Sequence, residues 1–592
     1  MLLARADAFT VASPVPPGAA APHRKPWRRT EMAAAAANIV IAAAIVVYFH
    51  NRFWWPADDG VYAYIADELR NGAVLNRDLH DIHGGYVHFL HALALDIFGR
   101  DIASLRYPLA LLTVIQSLIV FLLLRPLIGV AATCGGIAMS ALTFVQFLNP
   151  TANWYALFLA VIVAALLAAR FQRSFAGLAG IGFSIGMIFF FRQLTGVLIG
   201  MGTLAWLLLS EADETNRGSP ILARTVAAIM AAGLAAYAWL KLEGAAVVLY
   251  AALPLGFLVV VGLRTRLDDR RLAQILAGIA AGAFLAATPL FLYHAAHGSL
   301  AEWWRDITVS AIALTDLQFF GKASYAAILV LAVRGIADLA NPAGVLNGAF
   351  WLLILLAPAI LGAAAVRGLL RGTLPSPLAV VALFYAVVSA HYAIPIYALF
   401  SAGFTLAGLL ATTRTPAMRA GAAGVTLFAV AVGLVFHAAE PLSRGVTGAI
   451  LGNRVALDAE GIPGASLRME RQDREIYLDI LRFIDTHAGA DDPILGLPMT
   501  PQLYFLSGRK PPLRFVIAPL GLLSDTDVEQ AWDRLAANMP AVLIFRPDDK
   551  YMTPRVRALM DRLRPHYQLC GTVGGFEMYA PVCRPGPTGR ET

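Results

Sequence analysis

Two adjacent carboxylates, Asp58 and Asp59, open a polar stretch from Asp58 to Ile97 that also gathers Asp78, His80, Asp81, His83 and His88 in an otherwise apolar part of the chain. A carboxylate can draw the proton from an attacking hydroxyl, and a cation can hold the anion that leaves, so such a stretch suits general-base group transfer. Cations are available in Arg192, which stands beside Gln193 where an apolar span ends, and in Arg305 and Lys322 of a later polar loop. Each has an ordinary alternative role. An aspartate at a helix start caps the helix, an arginine at a span end snorkels to the interface, and Trp303 and Trp304 of the later loop anchor at headgroup depth.

The acids and histidines also invite a metal, with Asp59, Asp81 and His83 as a weak candidate site. Hard divalent cations prefer oxygen ligands and structural zinc shows more complete ligand sets, so interfacial polarity accounts for most of these residues. No cofactor is required by the sequence, and a divalent cation is the candidate.

Short helices must position these groups. From Gly60 to Arg70, Val61, Ile65 and Leu69 recur every four residues, with Asp58 or Asp59 as cap and Gly72 just past the end. A carboxylate at that end feels the helix dipole, which predicts a lowered pKa. From Tyr86 to Phe98, Tyr86, Phe89, Leu90, Leu93 and Ile97 share one face. Neither helix has the roughly 20 apolar residues a crossing needs, so both are expected at the membrane surface.

With 592 residues, 58% hydrophobic and 14% charged, at a mean hydropathy of +0.65, the chain is a polytopic α-helical membrane protein. The net charge of +7 comes from arginines in short loops between apolar spans, as the positive-inside rule requires, and does not indicate nucleic acid. Apolar spans fall near 32–49, 103–124, 127–148, 154–170, 175–191, 194–210, 221–240, 244–263, 272–293, 347–366, 376–391, 394–411 and 418–437, about 13 transmembrane helices. Arginine placement predicts a disordered cytoplasmic tail at 1–31 and a transmembrane domain at 32–437. It turns outward the 50–102 loop, the 294–346 loop and a soluble α/β domain at 438–592.

Alternating strands and helices in that last domain predict a mainly parallel sheet. No glycine-rich loop follows its strands, which argues against a nucleotide site. Cys134 reads as a core residue. A hairpin turn at Gly574–Gly575 would set Cys570 opposite Tyr579 and leave Cys583 about 13 Å farther along, so a bridge between them is not expected.

The first loop resembles that of the lipid-dependent GT-C membrane glycosyltransferases, in their protein mannosyltransferase-like and aminoarabinose transferase-like branch. That pattern, D-E-G-x-Y-A-x-I-A, then G, Y-R-D, D-x-x-P-P-G, F-G and an Arg, is matched by Asp58-Asp59-Gly60-Val61-Tyr62-Ala63-Tyr64-Ile65-Ala66, Gly72, Arg77-Asp78, Asp81-Ile82-His83-Gly84-Gly85, Phe98-Gly99 and Arg106. Aspartate replaces the second acid and a glycine pair replaces the prolines, which predicts a less rigid turn. Phe191-Arg192-Gln193 resembles the branch's basic-Gln pair, and Leu497-Pro498 with Pro501 to Arg509 resembles its outward domain.

The resemblance implies an inverting transfer of a sugar from a polyprenyl-phosphate donor to a glycan, lipid or protein acceptor outside a bacterial inner membrane. It implies Asp58 as base with Asp59 supporting, and Arg192, Gln193, Arg305 and Lys322 toward the donor phosphate. Tyr62, Asp78, Asp81, His83 and His88 would support acceptor and loop. Competing readings are a transporter or flippase of lipid-linked sugars and a non-catalytic envelope assembly protein. The first would place ionisable residues deep in several spans, whereas here they sit mostly at span ends.

Overall fold

A computed structural model describes residues 27–211, 220–316, 324–438, 457 and 460–585. The tail before residue 27 and Lys322 lie outside the described residues. Among the described residues eight helices are long and apolar enough to cross a membrane by length and composition. They run from Arg29–Phe49 to Pro416–His437, and one continuous stretch, Ile102–Gln146, takes up two of the expected spans. The other expected spans fall on shorter apolar helices, Ala152–Ala168, Phe175–Phe191, Pro377–Ala390 and Pro395–Ala411. Every residue from Pro377 to Ala390 is buried, and nearly every one from Pro395 to Leu410, as expected of helices that are apolar on all sides and sit inside a bundle.

The helix carrying the acid pair is Pro56–Arg70, and it starts at Pro56, earlier than its apolar repeat predicts. Proline at the first helical position has the required φ and no amide hydrogen to leave unpaired. Neither aspartate is the cap: the cap residue is Trp55, without a side-chain bond, and Asp59 Oδ2 reaches back to accept from the Trp55 amide at 3.0 Å.

The next helix, Tyr86–Phe98, is one-faced with its polarity inverted. His88 and His91 are buried beside Val87 and Leu95, while Leu93, Ile97 and Phe98 are exposed. An element facing hydrocarbon puts its polar groups inside.

The C-terminal part holds a four-stranded sheet of β1 (Ile494–Leu497), β2 (Val542–Phe545), β3 (Gln568–Val573) and β4 (Phe576–Ala580) in the order β1-β2-β4-β3. It is mixed rather than mainly parallel. β1 and β2 are parallel, but the closing hairpin adds β4 antiparallel to β2 and β3 antiparallel to β4. The expected separation of the cysteines is also corrected: Cys570 and Cys583 are disulfide-bonded, with Cα atoms 5.4 Å apart. Leu569 pairs with Tyr579 and Gly571 with Met578, so Cys570 is the extra residue of a bulge and its side chain is re-aimed off the ladder. The chain bends after Ala580, which returns Cys583 to it.

Candidate active site

The acid pair is divided by its own helix. Asp59 is fully buried and paired through Oδ2 with the equally buried Arg106 at 2.9 Å, while Arg106 also donates to the carbonyls of His50 and Arg52. Asp58 lines a cavity of about 190 Å³ where the first loop, the membrane helices and the C-terminal domain meet. It accepts a hydrogen bond from Asn149. Burial pushes its carboxyl up to about 6, helped by Asp59 and opposed by the Lys550 ammonium and by Asn149. The lowering expected from the helix end is therefore reversed, because loss of water outweighs the dipole here.

Arg192 faces the same cavity. The Phe175–Phe191 helix stops one residue before it, Arg192 itself is extended (φ −149°), and the next helix starts at Gln193. This break turns the guanidinium out of the helical stack, where it donates to the Tyr397 hydroxyl. Gln193 holds the break, since its amide donates to the carbonyls of Ile82 at 2.8 Å and Ile307 at 3.2 Å. Its donor hydrogens are thus spent on backbone rather than aimed at a ligand.

The loop between the two short helices is fixed by close backbone contact. A Cβ on Gly84 would come within 2.5 Å of the Phe190 carbonyl oxygen, and Gly85 has φ +124°, so neither position of the glycine pair admits the prolines of the related pattern. The Trp303 indole donates to the Gly84 carbonyl at 3.1 Å; buried between Phe190 and His294, it is a brace of the loop, and only Trp304 is exposed as an interfacial anchor would be. Asp78 lies on the outside of the loop, paired with Arg77 and accepting from the Val74 amide.

Tyr62 stands in the cavity wall and donates to Thr151 at 3.3 Å. Asp81 and His83 line the cavity too, and Asp81 touches both His83 and His88. These three side chains are the group that could hold a metal ion among the described residues, and Asp59, committed to Arg106, is not part of it. Burial opposes ionisation of Asp81, but His88 and His83 outweigh it and hold the carboxyl below its usual range.

Arg305 is elsewhere. It lines a second cavity of about 100 Å³ with Arg514 and Arg534, and it approaches Asp527 at 3.8 Å. In the wall of that second cavity buried Asp306 takes a two-pronged bond from Arg514 at 3.0 Å and accepts from Asn76, tying the first loop to the C-terminal domain.

Lys550 and Tyr551, which carry no motif in the sequence, also enter the main cavity. They follow β2, beyond the carboxyl end of one of the two parallel strands, and Met499 arrives likewise after β1. Open α/β sheets bind ligands at that edge, so the polar run Arg546 to Tyr551 after an apolar strand was the available signal.

Residues 83–239 match the family model described as dolichyl-phosphate-mannose-protein mannosyltransferase. The matched residues take in the end of the first loop, from His83 to Arg106, and the spans that follow it. No curated protein matches the chain. Among solved structures, ArnT from Cupriavidus metallidurans bound to undecaprenyl phosphate is similar at 13% identity and a TM-score of 0.40, covering 94% of this chain and 99% of that one. The Archaeoglobus fulgidus oligosaccharyltransferase in complex with Zn and sulfate is similar at 14% identity and a TM-score of 0.42, covering 92% of this chain and 73% of that one.

Proposed function

We propose that this multi-pass membrane protein, a glycosyltransferase of the GT-C type, moves a sugar with inversion from a polyprenyl-phosphate donor to a cell-envelope glycan, lipid or protein acceptor. The observation that carries the reading is the cavity in which Asp58, with its pKa near 6, shares a wall with Arg192 and Lys550. Ionised Asp58 takes the proton of the acceptor hydroxyl as its oxygen bonds to the anomeric carbon. The bond from that carbon to the donor phosphate breaks on the opposite face, and the negative charge left on the lipid phosphate is stabilised by the guanidinium and the ammonium.

The reading places this cavity on the outer face of a bacterial inner membrane, with the N-terminus cytoplasmic and the domain from 438 onward periplasmic. The disulfide of that domain supports an oxidising compartment.

Two measurements test the reading. Lipid extracts of a deletion strain should accumulate a polyprenyl-phosphate sugar and its envelope should lose a glycan; unchanged lipid pools would sink the enzyme. In purified protein Arg192→Ala should weaken donor binding and Arg192→Lys should restore only part of it, since an ammonium lacks the paired donors of a guanidinium. Donor affinity unchanged from wild type in both variants leaves Arg192 as a snorkelling residue.

A further inference from the structure

We infer that Asp81, His83 and His88 form a binding site for one late first-row divalent cation, zinc foremost, with an open coordination position toward the main cavity. One ligand atom from each lies within 4.8 Å of the others. Asp81 Oδ1 is 2.9 Å from His83 Nδ1 and Oδ2 is 3.0 Å from His88 Nε2. Zinc bonds of about 2.0–2.2 Å set tetrahedral ligand atoms roughly 3.3–3.6 Å apart, so a cation enters by a movement of less than about 1 Å.

Both imidazoles converge on the two oxygens of one carboxylate, where a shared cation would meet all three side chains. His83 Nδ1 and Asp81 are aligned for a hydrogen bond. His88 is fully buried; its Nε2 is held on the Asp81 carboxylate at 3.0 Å, and its Nδ1 has no hydrogen-bond partner. A cation bound at Nε2 displaces the proton that this imidazole and the carboxylate share. His91, also fully buried and unpartnered at both nitrogens, packs 5.3 Å away on the Tyr62 ring, which His83 and His88 also contact.

Local chain geometry produces the cluster. Gly85, with its positive φ, turns the chain between His83 and the helix that begins at Tyr86, bringing His88 back onto the loop that carries Asp81. Two imidazoles and one carboxylate select zinc, cobalt or their neighbours over magnesium, which prefers oxygen ligands and retains its waters. Asp81 and His83 line the cavity shared by Asp58 and Arg192, so the free position opens there. On the transfer reading above, the cation adds a third positive centre for the donor's phosphate; metal binding itself does not depend on that reading.

The test uses the full-length protein, purified through a histidine-free tag, stripped by chelator and titrated with zinc and magnesium against a chromophoric chelator, with metal content read by mass spectrometry. About one equivalent of zinc is expected, undisturbed by magnesium. His83→Ala and His88→Ala should each weaken zinc binding by more than the roughly 10–100-fold that loss of an outer hydrogen-bonding partner costs. Asp81→Asn, which keeps an oxygen acceptor for His83, should weaken it too, and the exposed His297→Ala should not. If His88→Ala fails to fold, His83→Ala and Asp81→Asn decide. Substoichiometric zinc in the wild type, or equal zinc in the wild type and these variants, overturns the site. Zinc bound in this pattern by a protein that transfers no sugar upholds the site and overturns only the transfer reading.

Discussion

Neighbouring residues on an α-helix point about 100° apart, so Asp58 and Asp59 meet different surroundings although one motif supplies both. Asp58 faces the cavity with Lys550, Tyr397 and Tyr551 among the titratable groups around it; Asp59 faces Arg106. Because Asp58 must be ionised to accept a proton and its carboxyl is raised to about 6, turnover at low substrate should rise about tenfold per pH unit up to about pH 6 and then level. Asp58→Asn should lower turnover by roughly 10²–10⁴-fold and abolish that limb. Lys550→Met removes the charge that favours the carboxylate, so the limb should move to higher pH. A wild-type rate in Asp58→Asn would dismiss it as the base. Asp59→Asn leaves the Arg106 guanidinium buried without its counter-charge, and thermal melting in detergent should record a loss of about 3–5 kcal/mol.

Among elements, the decisive contact is between the Pro56–Arg70 helix and the short helix Pro501–Ser507 of the C-terminal domain. Gly60, the glycine that follows the acid pair, permits it: a Cβ there would come within 2.3 Å of the Gln502 amide nitrogen. Gly60→Ala must therefore push Pro501–Ser507 away, at a cost of about 1–3 kcal/mol, and draw Lys550 and Met499 out of register with Asp58. Gly256, also helical but with open space around its Cα, is the control, and Gly256→Ala should leave both melting and transfer unchanged. Transfer that survives Gly60→Ala would mean that the C-terminal domain is not part of the working cavity.

At the scale of the whole molecule, the topology predicts that reporters fused after Arg371 and after Gly489 respond oppositely, and that Cys570 and Cys583 resist alkylation until reduced. Matching reporter signals would refute the arrangement. Inverted polarity in the Tyr86–Phe98 helix belongs to this scale as well. Its exposed Leu93, Ile97 and Phe98 suit the membrane boundary, and its histidines are buried for the same reason.

The membrane helices were legible in the sequence because an apolar stretch long enough to cross is a local property, and each expected span falls on a helix. Asp58 and Arg192 stand in short motifs with a fixed local frame, and both line the main cavity. The pairing of Asp59 with Arg106, the spending of Gln193 on the Ile82 and Ile307 carbonyls, and the arrival of Lys550 beside Asp58 join residues far apart in the chain. The direction of the sheet and the bulge at Cys570 likewise depended on which strands finally paired. Hydropathy and helical period determined what would lie in the membrane. Burial and the partners met only after packing decided which of two identical side chains faces the cavity and which is locked in an ion pair.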